Sequence, residues 1–138
     1  RLEMDDVLGA KEAWLKATEF APEYSRPYVN LGTVFHREKR YEEALGWYEI
    51  AVEKGPRNPA AHANYGRVLL HLDRADESVT AYKKATRLSP GNAALWSGLG
   101  RAQLAAEQFD DAEDSLRKAE RLNPNDRATR RLIRERFE

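Results

Sequence analysis

Apolar residues recur along this chain at helical spacing, and the helices they predict recur in turn. Tyr28, Leu31, Gly32 and Phe35 fall at i, i+3, i+4 and i+7, so they share one face of a first helix. Ser25 is placed to cap its N-terminus, and Pro27 suits the first turn, where a missing N–H costs nothing. After polar residues Glu38 to Arg40, a second helix puts Tyr41, Ala44, Leu45, Tyr48 and Ala51 on its inner face. Gly55 and Pro56 end it, with glycine as the C-cap and proline forbidding continuation.

The same two-helix pattern returns at a fixed interval. Pro22, Pro56, Pro90 and Pro124 are each 34 residues apart, as are Ala17, Ala51, Ala85 and Ala119, and Gly32, Gly66 and Gly100. Repetition on this scale predicts stacked units that bury a continuous apolar ribbon, each touching only its neighbours. The predicted units are 25–58, 59–92 and 93–126. Residues 1–24 match the second half of a unit, with an amphipathic helix over 5–20 that carries Trp14 and Ala17 and stops at Pro22. Residues 127–138 read as a capping helix, with Leu132 expected in register with Leu31 and Ile133 at the glycine place. Gly32 is expected to face Ala44, two small residues that let paired helices approach closely.

Variation between the copies is informative. His62 stands where the first unit has Tyr28, Ser78 where it has Ala44, and Gln103 where it has Phe35. An unpartnered helix at 5–20 exposes an apolar edge that a second copy could cover. The initial residue is Arg, so a fragment or processed form is expected, with the parent chain extending upstream.

Tyr28, Leu31, Gly32, Phe35, Ala44, Tyr48, Ala51 and Pro56 together resemble the tetratricopeptide repeat, and the resemblance covers three full units and a half unit. It implies an all-α fold, a right-handed superhelical solenoid of antiparallel helix pairs. The first helices of the pairs would line a concave groove. Proteins of this family usually bind peptides or extended partner segments there and have no catalysis of their own. The RNA-binding pentatricopeptide repeats are one residue longer, which argues against that class.

Charge removes further classes. The 23 basic and 23 acidic side chains balance, which gives no support to a general nucleic-acid or membrane-surface binder. Arg127, Arg130, Arg131, Arg134 and Arg136 make the C-terminal segment basic, but Ala128, Leu132, Ile133 and Phe137 give it an apolar stripe, so a solvated cap is expected and not a nucleic-acid site. No apolar run approaches a membrane span, and without cysteine there is neither a disulfide nor a thiolate metal site.

Chemistry finds little foothold. Glu42-Glu43, Asp76-Glu77 and Asp110-Asp111 look like paired carboxylates, but they recur at one place near helix N-termini, where negative charge is favoured. His36 and His71 lie at similar places in adjacent units, yet neither has a second ligand at i+3 or i+4 on the groove face. No nucleophile motif or phosphate loop is present, so no catalytic, cofactor or metal site is expected. The expected function is a scaffold for a protein or peptide segment, with a self-association module or a regulatory fragment of a larger enzyme as alternatives.

Any specificity would lie on the irregular stripe of the first helices. The expected groove residues are Asn30, Thr33, Arg37, Asn64, Arg67, His71 and Arg101. Asn30 and Asn64 are equivalent, and the resemblance implies that asparagine there can bond a peptide backbone. Arg67 and Arg101 are equivalent and suit acidic groups. The family's clamp for chaperone C-terminal carboxylates resembles Lys and Asn, then Asn, then Lys and Arg. Here those places hold Val29 and Thr33, then Asn64, then Ala94 and Gly98, so such tails should not be held by that clamp.

Overall fold

The computed structural model describes residues 25–138, and the expected helix over 5–20 lies outside them. The described residues form seven α-helices: α1 (Arg26–Arg37), α2 (Tyr41–Lys54), α3 (Pro59–His71), α4 (Ala75–Leu88), α5 (Ala93–Ala105), α6 (Phe109–Leu122) and α7 (Arg127–Phe137). No strand occurs among these residues. Each helix packs on the next, and α1, α3 and α5 also touch in succession. The result is an all-α solenoid of antiparallel helix pairs whose first helices share one face.

Three turns between paired helices are built alike. Arg40 N–H donates to the Phe35 carbonyl at 2.9 Å, Arg74 to Leu69 at 2.9 Å, and Gln108 to Gln103 at 2.8 Å. These are the outer bonds of a motif that closes a helix through a left-handed residue. Lys39, Asp73 and Glu107 supply that residue, with φ of 61°, 58° and 62°. None is glycine, so each turn carries a side chain in a conformation that disfavours one. Acidic residues then open α2, α4 and α6, as expected, and Arg40 and Arg74 reach Glu43 and Glu77 through paired bonds of 2.7–2.9 Å.

Gly55 caps α2 as expected, and the junctions between pairs differ from expectation at Ser25. Asn58, Asn92 and Asp126 cap α3, α5 and α7 through side-chain oxygens. Ser25 makes no such bond to α1; its Oγ accepts from Asn58 Nδ2 at 2.6 Å, and it is buried between units. Gly55 has φ −132°, not a left-handed value, so backbone freedom is not what it supplies. A β-carbon there would lie 2.6 Å from the Cβ and Oγ of Ser25. Glycine is needed for close approach.

The scaffold glycines work in a similar way. A β-carbon on Gly32 would meet the Tyr48 ring at 2.5 Å, one on Gly66 the Tyr82 ring at 2.8 Å, and one on Gly100 the Leu116 side chain at 2.5 Å. Gly32 therefore makes room for an aromatic ring, and at the places equivalent to Ala44, Ser78 bonds the Gly66 carbonyl and Ala112 lies near Gly100. The core is continuous across units: Phe35, Ala44, Leu45 and Tyr48 pack with Val68, Leu69 and Ala81, and Ala63, Val79, Tyr82 and Ala85 pack with Leu95, Leu99 and Ala102.

Polar replacements within the core are each satisfied. His62 Nε2 sits 2.8 Å from the Pro56 carbonyl, and Trp96 Nε1 donates to the Pro90 carbonyl at 2.7 Å, so imidazole fills the role of indole one unit earlier. Ser78 Oγ donates to the Gly66 carbonyl at 2.7 Å. Gln103, in place of an aromatic ring, accepts from buried Ser115 at 2.6 Å. At the C-terminus the expected register is corrected by one residue. Ile133 is buried and Leu132 only half-buried, so Ile133 continues the line of Leu31 and Leu99, while exposed Arg134 takes the glycine place.

Candidate functional site

The face shared by the first helices is shaped by what its small residues leave open. Between α3 and α5 lies a recess of about 430 Å³. Ala94, Ser97 and Gly98 of α5 form its floor together with Tyr82 of α4, and Arg67, His71, Arg101 and Asp126 stand around it. Gly98 lets the Tyr82 ring approach more closely than a side chain would allow. A β-carbon on it would collide with the Cε1 edge of Tyr82, whose Cδ2 and Cε2 edge already lies against Gly66. The ring is thus wedged between two glycines of successive units, and the missing side chain at 98 opens the floor.

Three of the residues expected from sequence, Arg67, His71 and Arg101, meet at this recess. The other four do not line it. Asn30 and Arg37 are exposed on α1, and Asn64 is half-buried on α3. Thr33 is occupied internally, donating to the Val29 carbonyl at 2.9 Å with its Oγ1 3.1 Å from the Tyr48 hydroxyl. Tyr82 and Asp126 escaped sequence reasoning. Tyr82 falls at the regular scaffold place shared with Tyr48, and only the unexpected glycine at 98 signals that the groove reaches it.

The electrostatics of the recess favour an anion. Burial pushes the Tyr82 hydroxyl above its ordinary value, against the pull of the Arg67 and Arg101 charges. Asp126 is held below the usual carboxylate range first by the Thr129 hydroxyl, then by the backbone N–H groups of Thr129 and Ala128 and by Arg101. Its Oδ2 accepts from Thr129 Oγ1 at 2.7 Å and its Oδ1 from Ala128 N–H at 3.1 Å, which commits that carboxylate to capping α7.

A second recess of about 490 Å³ adjoins the first and shares Arg101 with it. Leu104 and Ala105 of α5 and Ala128 and Leu132 of α7 line it, together with Arg131, Glu135 and Arg136. Ala128 is exposed, so the apolar stripe expected to seat α7 is narrower than its sequence indicates; Thr129 and Ile133 do the seating. Thr129 also meets Ser97 at 3.1 Å between hydroxyl oxygens.

Upstream, His36 and His71 do come together, with ring centroids 5.1 Å apart. Tyr41 stacks on His71 at 4.6 Å and meets His36 edge-on at 5.5 Å. Burial, then His71 and Arg67, lower the His36 pKa from 6.5. Among the described residues no group of three or more His, Cys, Asp or Glu is gathered for a metal ion, and no helix is long and apolar enough to cross a membrane.

Models of the tetratricopeptide repeat match residues 1–59 and 48–93 in one version and 74–135 in another. The chain belongs to the tetratricopeptide repeat (TPR) family. Among solved structures it resembles the first TPR of Spaghetti (RPAP3) bound to an HSP90 peptide, with a TM-score of 0.79 at 18% identity over 83% of this chain and 90% of that one. It also resembles YrrB, described as a TPR protein with an unusual peptide-binding site, with a TM-score of 0.74 at 30% identity over 87% of this chain and 62% of YrrB. A stretch of 48 residues is 40% identical to a UDP-N-acetylglucosamine–peptide N-acetylglucosaminyltransferase of Giardia intestinalis. That stretch is 35% of this chain and 3% of the transferase, so it says nothing of activity here.

Proposed function

We propose that this TPR chain is a protein-interaction module that holds an extended segment of a partner along the face shared by α1, α3, α5 and α7. The observation that carries the reading is the recess over Tyr82 and Gly98, where equivalent arginines of two units, Arg67 and Arg101, stand beside one open floor. Extended peptides suit such a surface because adjoining recesses can take successive side chains. YrrB supports the reading, since its description names a peptide-binding site at 30% identity. Arg67, His71 and Arg101 form the centre of the proposed site, with Asn30, Thr33, Arg37 and Asn64 as its upstream extension. Units 25–58, 59–92 and 93–126, capped by 127–138, are the proposed domain organisation.

Selection of peptides from a displayed random library tests this reading. Selected peptides should lose most of their binding to an Asn64→Ala, Arg67→Ala double variant and keep it with Lys84→Ala on exposed α4. Equal binding to all three proteins would remove the groove from consideration.

A further inference from the structure

The two recesses beside Arg101 differ in chemistry, and together they specify more than a generic peptide. In the first, Arg67 and Arg101 contribute two positive charges and Asp126 one negative charge, already committed to Thr129 and the α7 N-terminus. The balance leaves one positive charge, which matches a carboxylate better than a phosphoryl dianion. Arginine offers paired donors in a plane that fits a carboxylate, and Tyr82 lines the same recess as both arginines. Leu104, Ala105, Ala128 and Leu132 line the second recess, which suits an aliphatic side chain.

We propose that the groove reads an acidic residue next to an aliphatic one within a continuous chain, the carboxylate between Arg67 and Arg101 and the aliphatic side chain between α5 and α7. The proposal rests on the groove reading above and deepens it by naming the ligand's chemistry. It does not need a chain terminus. Of the five places of the terminal-carboxylate clamp only Asn64 matches, the others holding Val29, Thr33, Ala94 and Gly98, whereas Arg67 and Arg101 lie outside that set. Gly98 gives the site its depth, because any side chain there would strike Tyr82 or fill the floor.

The test uses the full chain, isotopically labelled and titrated at low salt with short Gly/Ser peptides blocked at both ends. Four peptides carry Glu-Leu, Gln-Leu, Glu-Ser or phosphoserine-Leu at the centre. Glu-Leu should bind about tenfold more tightly than Gln-Leu, as a charge-assisted bond to arginine implies. It should also exceed Glu-Ser by several-fold, shifting resonances of α3, α5 and α7. Arg67→Gln and Arg101→Gln should each abolish the preference for Glu over Gln with an unchanged circular dichroism spectrum, since both side chains are exposed. Arg101→Glu should favour a Lys-Leu peptide over Glu-Leu.

Equal binding of Glu-Leu and Gln-Leu to the groove would overturn the carboxylate proposal while leaving the groove reading in place. Tighter binding of phosphoserine-Leu than Glu-Leu would also overturn it, assigning the recess to a dianion. If none of the four peptides perturbs the groove, both readings fail.

Discussion

Substituting alanine at Gly66 and at Gly46 should move stability in opposite directions, because one glycine is crowded and the other is not. Both lie inside helices, where replacing glycine with alanine gains about 1 kcal/mol from backbone entropy. Gly46 has nothing within 4 Å of its would-be β-carbon, so Gly46→Ala should keep that gain in full. At Gly66 the β-carbon would lie 2.8 Å from Cδ2 and Cε2 of Tyr82. Carbon atoms rest about 3.5–4.0 Å apart, so the ring would have to retreat by about 0.7 Å or more. Its other edge is against Gly98, which blocks the retreat. Overpacking of this kind costs about 1–3 kcal/mol. The two variants should therefore differ by about 1–3 kcal/mol, with Gly46→Ala the more stable. At about 3–5 °C per kcal/mol for a chain of this size, melting followed by circular dichroism resolves the difference. In a Tyr82→Ala background the penalty at Gly66 should vanish. If Gly66→Ala melts with Gly46→Ala, the wedge between the glycines does not constrain the fold.

Other consequences are independent of that wedge. Glu107→Gly should raise the melting temperature, because a left-handed non-glycine residue costs about 1–2 kcal/mol and glycine's extra freedom in the unfolded chain returns only about 0.5–1 of it; a lower melting point would contradict the strain assigned to the turn. Ser115→Ala should cost about 1–3 kcal/mol by stranding the buried Gln103 oxygen. Adding Gln103→Leu should recover much of that loss, and a double-mutant cycle showing strict additivity would refute the coupling. His36 has a folded pKa below its unfolded value of 6.5, so above that pH it is neutral in both states and adds no pH dependence. As pH falls through 6.5 the unfolded chain takes up the proton first, so stability declines. Denaturant midpoints measured from pH 7.5 down to 5.5 should fall less steeply in His36→Gln, and identical slopes would exclude the contribution.

The repeat and its helices were legible because solenoid architecture is one-dimensional: residues that meet are a fixed distance apart in sequence. Tyr28, Leu31 and Phe35 announce the inner face of α1, and the structure buries them. Contacts between units are less legible. Ser25 has the composition of a helix cap but is turned toward Asn58, 33 residues away, and Gly55, legible as a C-cap, also serves that same junction through close approach to Ser25. The site was half legible for a related reason. Arg67 and Arg101 stand out through their common interval, whereas Tyr82 hides in the scaffold pattern and Asp126 in the connection before α7. In sequence, Gly98 is only a glycine at the place where earlier units have Asn30 and Asn64. Its role becomes apparent only when the Tyr82 ring is placed.

Gly98 also decides where along such an array a recess can open. Copying residues 59–92 in tandem would preserve the period, every cap and every turn. It would also set a second Asn64 where the ring now finds Gly98, since those two positions are 34 residues apart. Tyr48 already meets that arrangement, because Asn64 follows it at the interval that separates Gly98 from Tyr82, so duplication would give the new seam the ring-and-asparagine pairing of the first seam and close the recess that Gly98 opens.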